Sequence, residues 1–186
     1  MGCTSCAKKG KYIPLFMRGA QRSHLDTAEW GPVFWKVLHS LAEHIGKMNN
    51  PRMDTDQAIE FQLIITSLPT VLPCELCQAH SRDYIMNNRP NWPGLYGDAL
   101  RNSVRTWLFT FHNHVRTSIE LPIVLHSSDE CIAMYGPTST SPLTMEEISF
   151  LFENLTYASR IRVIQPNACK KWITHLNRYR VLCGSI

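Results

Sequence analysis

The sequence predicts an all-α protein, and three observations carry that reading. Apolar residues recur at helical spacing, as in Trp30, Phe34, Leu38 and Leu41. Helix starters and breakers punctuate these stripes, with only short connections between the first four. Past a Ser/Thr/Pro-rich stretch, a capping pattern and a further apolar stripe announce more helices. Four helices with short connections bury such stripes as a bundle, here with a C-terminal helical extension.

In chain order, residues 1–24 are basic and aperiodic and read as a flexible arm carrying Cys3 and Cys6. Asp26 or Thr27 can cap the first helix, which Gly46 and Asn49–Asn50–Pro51 end. A second helix is expected from about Thr55 to Leu68, with Ile59, Leu63 and Ile64 inward. Pro69 and Pro73 bracket a short turn, and a third helix runs on to about Met86. After the polar loop Asn87 to Pro93, a fourth spans about Asp98 to Ser118. Its stripe is Leu100, Val104, Trp107, Leu108, Phe111 and Val115. Residues 25–122 thus form the bundle domain, and residues 123–186 a linker (126–143) followed by helices. Thr144 with Glu147 forms a capping box ahead of Ile148, Leu151 and Phe152, and Ala168 to Leu182 reads as the last helix.

Composition narrows the function classes. The 186 residues carry a formal charge of +4, and the basic residues look scattered, with Lys8, Lys9 and Lys11 the one tight cluster. Nucleic acid is not indicated. No apolar run reaches the roughly 18 residues of a membrane span, and no signal-peptide h-region precedes the first helix. The expected location is cytoplasmic, with membrane contact not foreseen. The start Met1–Gly2–Cys3 approaches a myristoylation signal, but Cys6 stands where that rule wants Ser or Thr. Seven cysteines, an odd number, argue against a stapled secreted scaffold.

Two cysteine pairs are spaced CxxC, and Cys74–Glu75–Leu76–Cys77 is the pivotal one, just after Pro73. Residues at i and i+3 share a helix face, so both sulfurs can meet one partner or each other. A helix N-terminus also stabilises a thiolate. Around this pair stand Trp35 and His39, four apart on the first helix, and His112 and Asn113 late on the fourth. Singly these read as a core Trp, a hydrogen-bonded His and an exposed Asn.

Taken together, Gly31-x-x-x-Trp35-x-x-x-His39, Pro73-Cys74-x-x-Cys77, and Trp107 followed by His112-Asn113-x-Val115 resemble the Erv/ALR family of FAD-dependent sulfhydryl oxidases. The resemblance covers about residues 28 to 122 and implies a four-helix core with FAD at one end. It implies Cys77 facing the flavin, Cys74 as the interchange thiol, and Gly31, Trp35, His39, His112, Asn113 and Val115 around the cofactor. The chain departs from the family at Arg116, commonly Asn, and at Leu121 before Pro122, commonly Lys. Arg116 can supply a phosphate donor in their place. No Cys lies between 78 and 130, so the second structural disulfide of many cellular members is missing. That absence resembles the compact members encoded by large DNA viruses.

The implied activity is oxidation of protein dithiols to disulfides, with electrons passing through FAD to oxygen to give hydrogen peroxide. The implied assembly is a homodimer. Cys3 and Cys6 would form a shuttle disulfide, since about twenty flexible residues reach roughly 25 Å. A C-terminal shuttle of Cys169 and Cys183 is the rival. No metal is expected in this reading. The alternatives are a zinc site built on Cys3, Cys6, Cys74 and Cys77, a thioredoxin-like fold, or a helical interaction protein using the CxxC pairs structurally.

Overall fold

The structure is a computed structural model and describes residues 26–48 and 50–184. The N-terminal arm with Cys3 and Cys6, and so the expected shuttle pair, lies outside the described residues. Those described are all-helical, with no strand among them. They form α1 (Thr27–Ala42), α2 (Pro51–Thr66), α3 (Leu68–Val71), α4 (Glu75–Asn87), α5 (Gly97–Ser118), α6 (Glu130–Tyr135), α7 (Met145–Arg160) and α8 (Pro166–Leu182).

Local chemistry sets the helix starts. The Asp26 carboxylate accepts from the Ala28 N–H and opens α1. Asn50 caps α2, with Pro51 in the first turn where its missing N–H costs nothing. The helix therefore begins a turn earlier than expected. The Thr144–Glu147 capping box forms as predicted, the hydroxyl accepting from Glu147 N–H at 3.2 Å and the carboxylate from Thr144 N–H at 3.0 Å.

Two sequence expectations are corrected. Ile59 and Leu63 are 42% and 39% exposed, while α2 buries Asp54, Gln57, Ala58, Phe61, Ile64 and Ile65. The inward face carries polar residues with assigned partners, which masked its periodicity. Gln57 accepts from Gly46 N–H and donates to the Leu182 carbonyl; Asp54 accepts from Gly97 N–H. Second, residues 126–143 are not a plain linker but contain α6, held on α1 with Cys131 fully buried.

α5 contacts α1, α2 and α4, and the most extensive helix pairing is α2 against α8. One apolar cluster runs from Trp30 to Tyr179. Trp172 of α8 stacks on Phe34 at 5.5 Å and donates its indole N–H to the Ile64 carbonyl. The Tyr179 hydroxyl donates to the Leu41 carbonyl at 2.8 Å. Beneath α6, Arg105 grips the buried Glu43 through two bonds of 2.6 and 2.7 Å.

Candidate functional site

The site begins on α1, where Gly31, Trp35 and His39 fall at i, i+4 and i+8 on one face. α5 presents His112, Asn113, Val115 and Arg116 toward the same place. Trp35 and His112 stack face to face, with centroids 4.1 Å apart and 7° between planes. The His39 and His112 rings bond to each other, Nε2 to Nδ1, at 3.1 Å. Both imidazoles are buried, at 1% and 5% exposure. Burial, helped by His112 beside it, holds His39 well below the ordinary histidine range. Burial, with Arg116 nearby, takes His112 down to about 3. Both are neutral at physiological pH, so a single proton serves the bond between them.

Two buried polar atoms here have no protein partner: His39 Nδ1 and Asn113 Oδ1. The Asn113 amide N–H donates to the Leu125 carbonyl at 2.9 Å, and Arg116 Nε donates to the Pro122 carbonyl at 2.6 Å. Both bonds strap residues 122–125 along the end of α5. Val115 is half-buried against the core, and a side chain at Gly31 would meet nothing within 4 Å.

Tyr135 of α6 joins this cluster, and the sequence reading missed it. It stacks on His39 at 4.6 Å and 10°, and burial pushes its phenol up to about 12. Its signal was Cys131 to Tyr135, an apolar run inside an otherwise polar stretch. A groove of about 550 Å³ beside Tyr84, Asn88 and Trp107 contains none of Trp35, His39, His112 or Asn113.

Cys74 is the N-cap of α4, its sulfur accepting from the Cys77 N–H at 3.3 Å. Neither cysteine is in a disulfide, and both are half-buried. A hydrogen bond from the Cys77 thiol, joined by the Cys77 and Leu76 backbone N–H groups, outweighs burial and pulls Cys74 down to about 6. The other described thiols behave oppositely. Burial pushes Cys131 up to about 12 and Cys183 up to about 11, and it raises Cys169 as well. One low-pKa thiol therefore stands out among the described cysteines.

The α4 helix reaches the aromatic stack through its own rings. Tyr84 stacks on Phe111 at 4.8 Å, and Phe111 meets Trp35 edge-on at 5.2 Å. A model of the Erv1 / Alr family matches residues 32–131, just over half of the chain. The chain belongs to the Erv1 / Alr family. It is 33% identical over 98 residues to a candidate FAD-linked sulfhydryl oxidase, 096R, of Invertebrate iridescent virus 3. That match covers 53% of this chain and 61% of the relative, under two thirds of the relative's length. It is 30% identical over 97 residues to a FAD-linked sulfhydryl oxidase of African swine fever virus, covering 51% and 71%. No solved structure matches the chain. The family match takes in α1 from Pro32 onward, α2 to α5, the strap at 122–125 and the start of α6.

Among the described residues, no three His, Cys, Asp or Glu side chains cluster to hold a metal ion. No described helix is long and apolar enough to cross a membrane. Cys169 and Cys183 sit fourteen residues apart along and just past α8, roughly 20 Å by helical rise, too far to pair with each other.

Proposed function

We propose that this protein is a flavin-linked thiol oxidase that forms disulfides in protein dithiols. The observation that carries the proposal is the low-pKa thiol of Cys74 on the helix whose rings run to the Trp35–His112 stack. The residues fit FAD. Trp35 and Tyr135 offer aromatic faces, and His39 Nδ1 and Asn113 Oδ1 are buried atoms awaiting a polar partner. Arg116 brings a fixed positive charge to the same end of α5, suited to a pyrophosphate. Gly31 keeps the α1 face free of a side chain, and Val115 adds apolar wall. Bound FAD supplies a two-electron acceptor that is reoxidised by oxygen to give hydrogen peroxide, chemistry no side chain provides.

The chain's own residues perform the sulfur steps. A substrate thiolate attacks Cys74 Sγ of the Cys74–Cys77 disulfide; that S–S bond breaks and Cys77 leaves as a thiolate. The second substrate thiolate then attacks the substrate sulfur of the mixed disulfide, and Cys74 leaves as a thiolate. The substrate has lost two electrons and two protons; the electrons sit on the Cys74 and Cys77 thiolates, and the protons go to solvent or back onto those sulfurs. The hydrogen bonds that lower Cys74 make it a good leaving group in the second step. Cys77, a turn further into α4, is the thiol assigned to face the flavin.

The test is turnover of dithiothreitol by flavin-loaded protein. Cys74→Ser and Cys77→Ser are each expected to abolish it while leaving bound flavin in place. Turnover at the unmodified rate in Cys77→Ala would refute the assignment.

A further inference from the structure

Read along the chain, the basic residues look scattered, but the fold collects them. Six of the 19 Lys and Arg, and none of the 15 Asp and Glu, lie after Glu153. On α8, Asn167, Lys170, Lys171, Thr174 and Arg178 are all exposed. Their spacing places them on one face of the helix. Charge asymmetry of this kind points to an anionic partner.

A groove of about 330 Å³ runs beside this face, between α8 and the α2–α3 corner, lined by Thr66, Ser67, Thr70, Asn167, Lys171 and His175. The acid beside it, Glu60, is buried and already engaged. Its Oε2 lies 2.7 Å from His175 Nδ1 and its Oε1 3.0 Å from Arg178. Glu60 thereby fixes the His175 ring and offsets the charge of Arg178, which leaves Lys170 and Lys171 as the cations that give the face its positive charge. The groove also lies close to the reactive thiol. α3 packs against α8 and α4, and Thr70 on the groove wall precedes Cys74 by four residues, at most ~14 Å of chain. Glu75, exposed next to Cys74, adds a negative charge beside the thiol that the basic face of α8 would have to outweigh for an acidic partner.

We propose that the α3–α8 groove and the basic face of α8 dock dithiol substrates through an acidic run next to their cysteines. This inference rests on the oxidase reading above and specifies its substrate class. No bond changes in docking; it raises the encounter rate of the substrate thiolate with Cys74 and fixes which side it comes from.

The test uses full-length, flavin-loaded protein and three synthetic dithiol peptides alike except for a flank of four Glu, four Gln or four Lys. At low ionic strength kcat/KM is expected to favour the Glu peptide over the Gln peptide by about 10-fold, and the Lys peptide to be poorest. The preference should collapse in high salt, where the screening length shrinks to a few Å. The double variant Lys170→Glu, Lys171→Glu is expected to lose or invert the preference while oxidising dithiothreitol at the unmodified rate. Fluorescence anisotropy of the labelled Glu peptide, tighter on the unmodified protein than on the double variant, reads docking without turnover. Equal kcat/KM on all three peptides, or a preference that survives the double variant, overturns the proposal. So does a duplex oligonucleotide that binds the face in a Lys170- and Lys171-dependent way while the peptides are oxidised alike. Failure to oxidise dithiothreitol with peptide binding intact would instead strike the oxidase reading and leave the docking face standing.

Discussion

Cys74 shows how much one residue's chemistry depends on its position in a helix. The same side chain at Cys131, Cys169 or Cys183 is raised by burial, because desolvation penalises the thiolate. At the N-cap of α4, the Cys77 thiol and two backbone N–H groups reverse the sign. Reduced protein should therefore react with iodoacetamide at Cys74 along a curve whose midpoint lies near pH 6. Below that pH the thiol is protonated and slow; above it the rate levels off, while Cys131, Cys169 and Cys183 stay inert to well above neutrality. Peptide mapping of the alkylated protein at pH 5, 6, 7 and 8 checks this. A midpoint near the ordinary thiol value of 9 would remove the thiolate from the mechanism. The CxxC pair and its helix were legible in the sequence because Pro73 and the i, i+3 spacing are local signals. The coupling between His39 and His112 was not, since the two are separated by 73 residues and only packing brings them to 3.1 Å.

At the scale of elements, the sequence was most readable where a helix buries a mainly apolar face. α5 and α7 follow their stripes, and the α7 capping box was visible in four residues. α2 was misread because its buried face alternates apolar residues with Asp54, Gln57 and Glu60, each meeting a partner far along the chain. α6 was missed because six residues are too few to establish a helical period. The corner between α1 and α2 was placed correctly by Gly46, and the fold explains why that residue is needed. Gly46 has φ +68°, and a Cβ there would run into the Gly97 carbonyl oxygen at the start of α5. Gly46→Ala therefore combines left-handed strain with a backbone collision and should cost about 2 kcal/mol. In a chain of this size that lowers Tm by about 4–8 °C. Differential scanning calorimetry decides it; an unchanged Tm would mean the corner relaxes freely.

Across the whole molecule, family resemblance and physical core have different extents. The family match stops at residue 131, yet α7 and α8 lie beyond it and complete the same hydrophobic cluster. α8 covers α2, while α7 covers α1. Phe34, Phe61 and Ile64, all 4% exposed or less, owe part of that burial to Trp172 and Tyr179. Residues 1–144 alone would expose these side chains on α1 and α2, an apolar surface large enough to drive association. Such a truncated chain should therefore accumulate in aggregates, whereas the full chain remains dispersed. A graded pair of substitutions separates packing from mere chain length. Trp172→Ala removes the stack on Phe34 and the bond to the Ile64 carbonyl together, at a cost of about 3–5 kcal/mol. Trp172→Phe keeps most of the packing and gives up chiefly the hydrogen bond, at about 1 kcal/mol. Urea unfolding of the two variants should rank them in that order and with unchanged slope. If the 1–144 chain instead unfolded cooperatively at the full-length midpoint, α7 and α8 would be a decoration on a self-sufficient bundle, and the shared core would not be what stabilises the site.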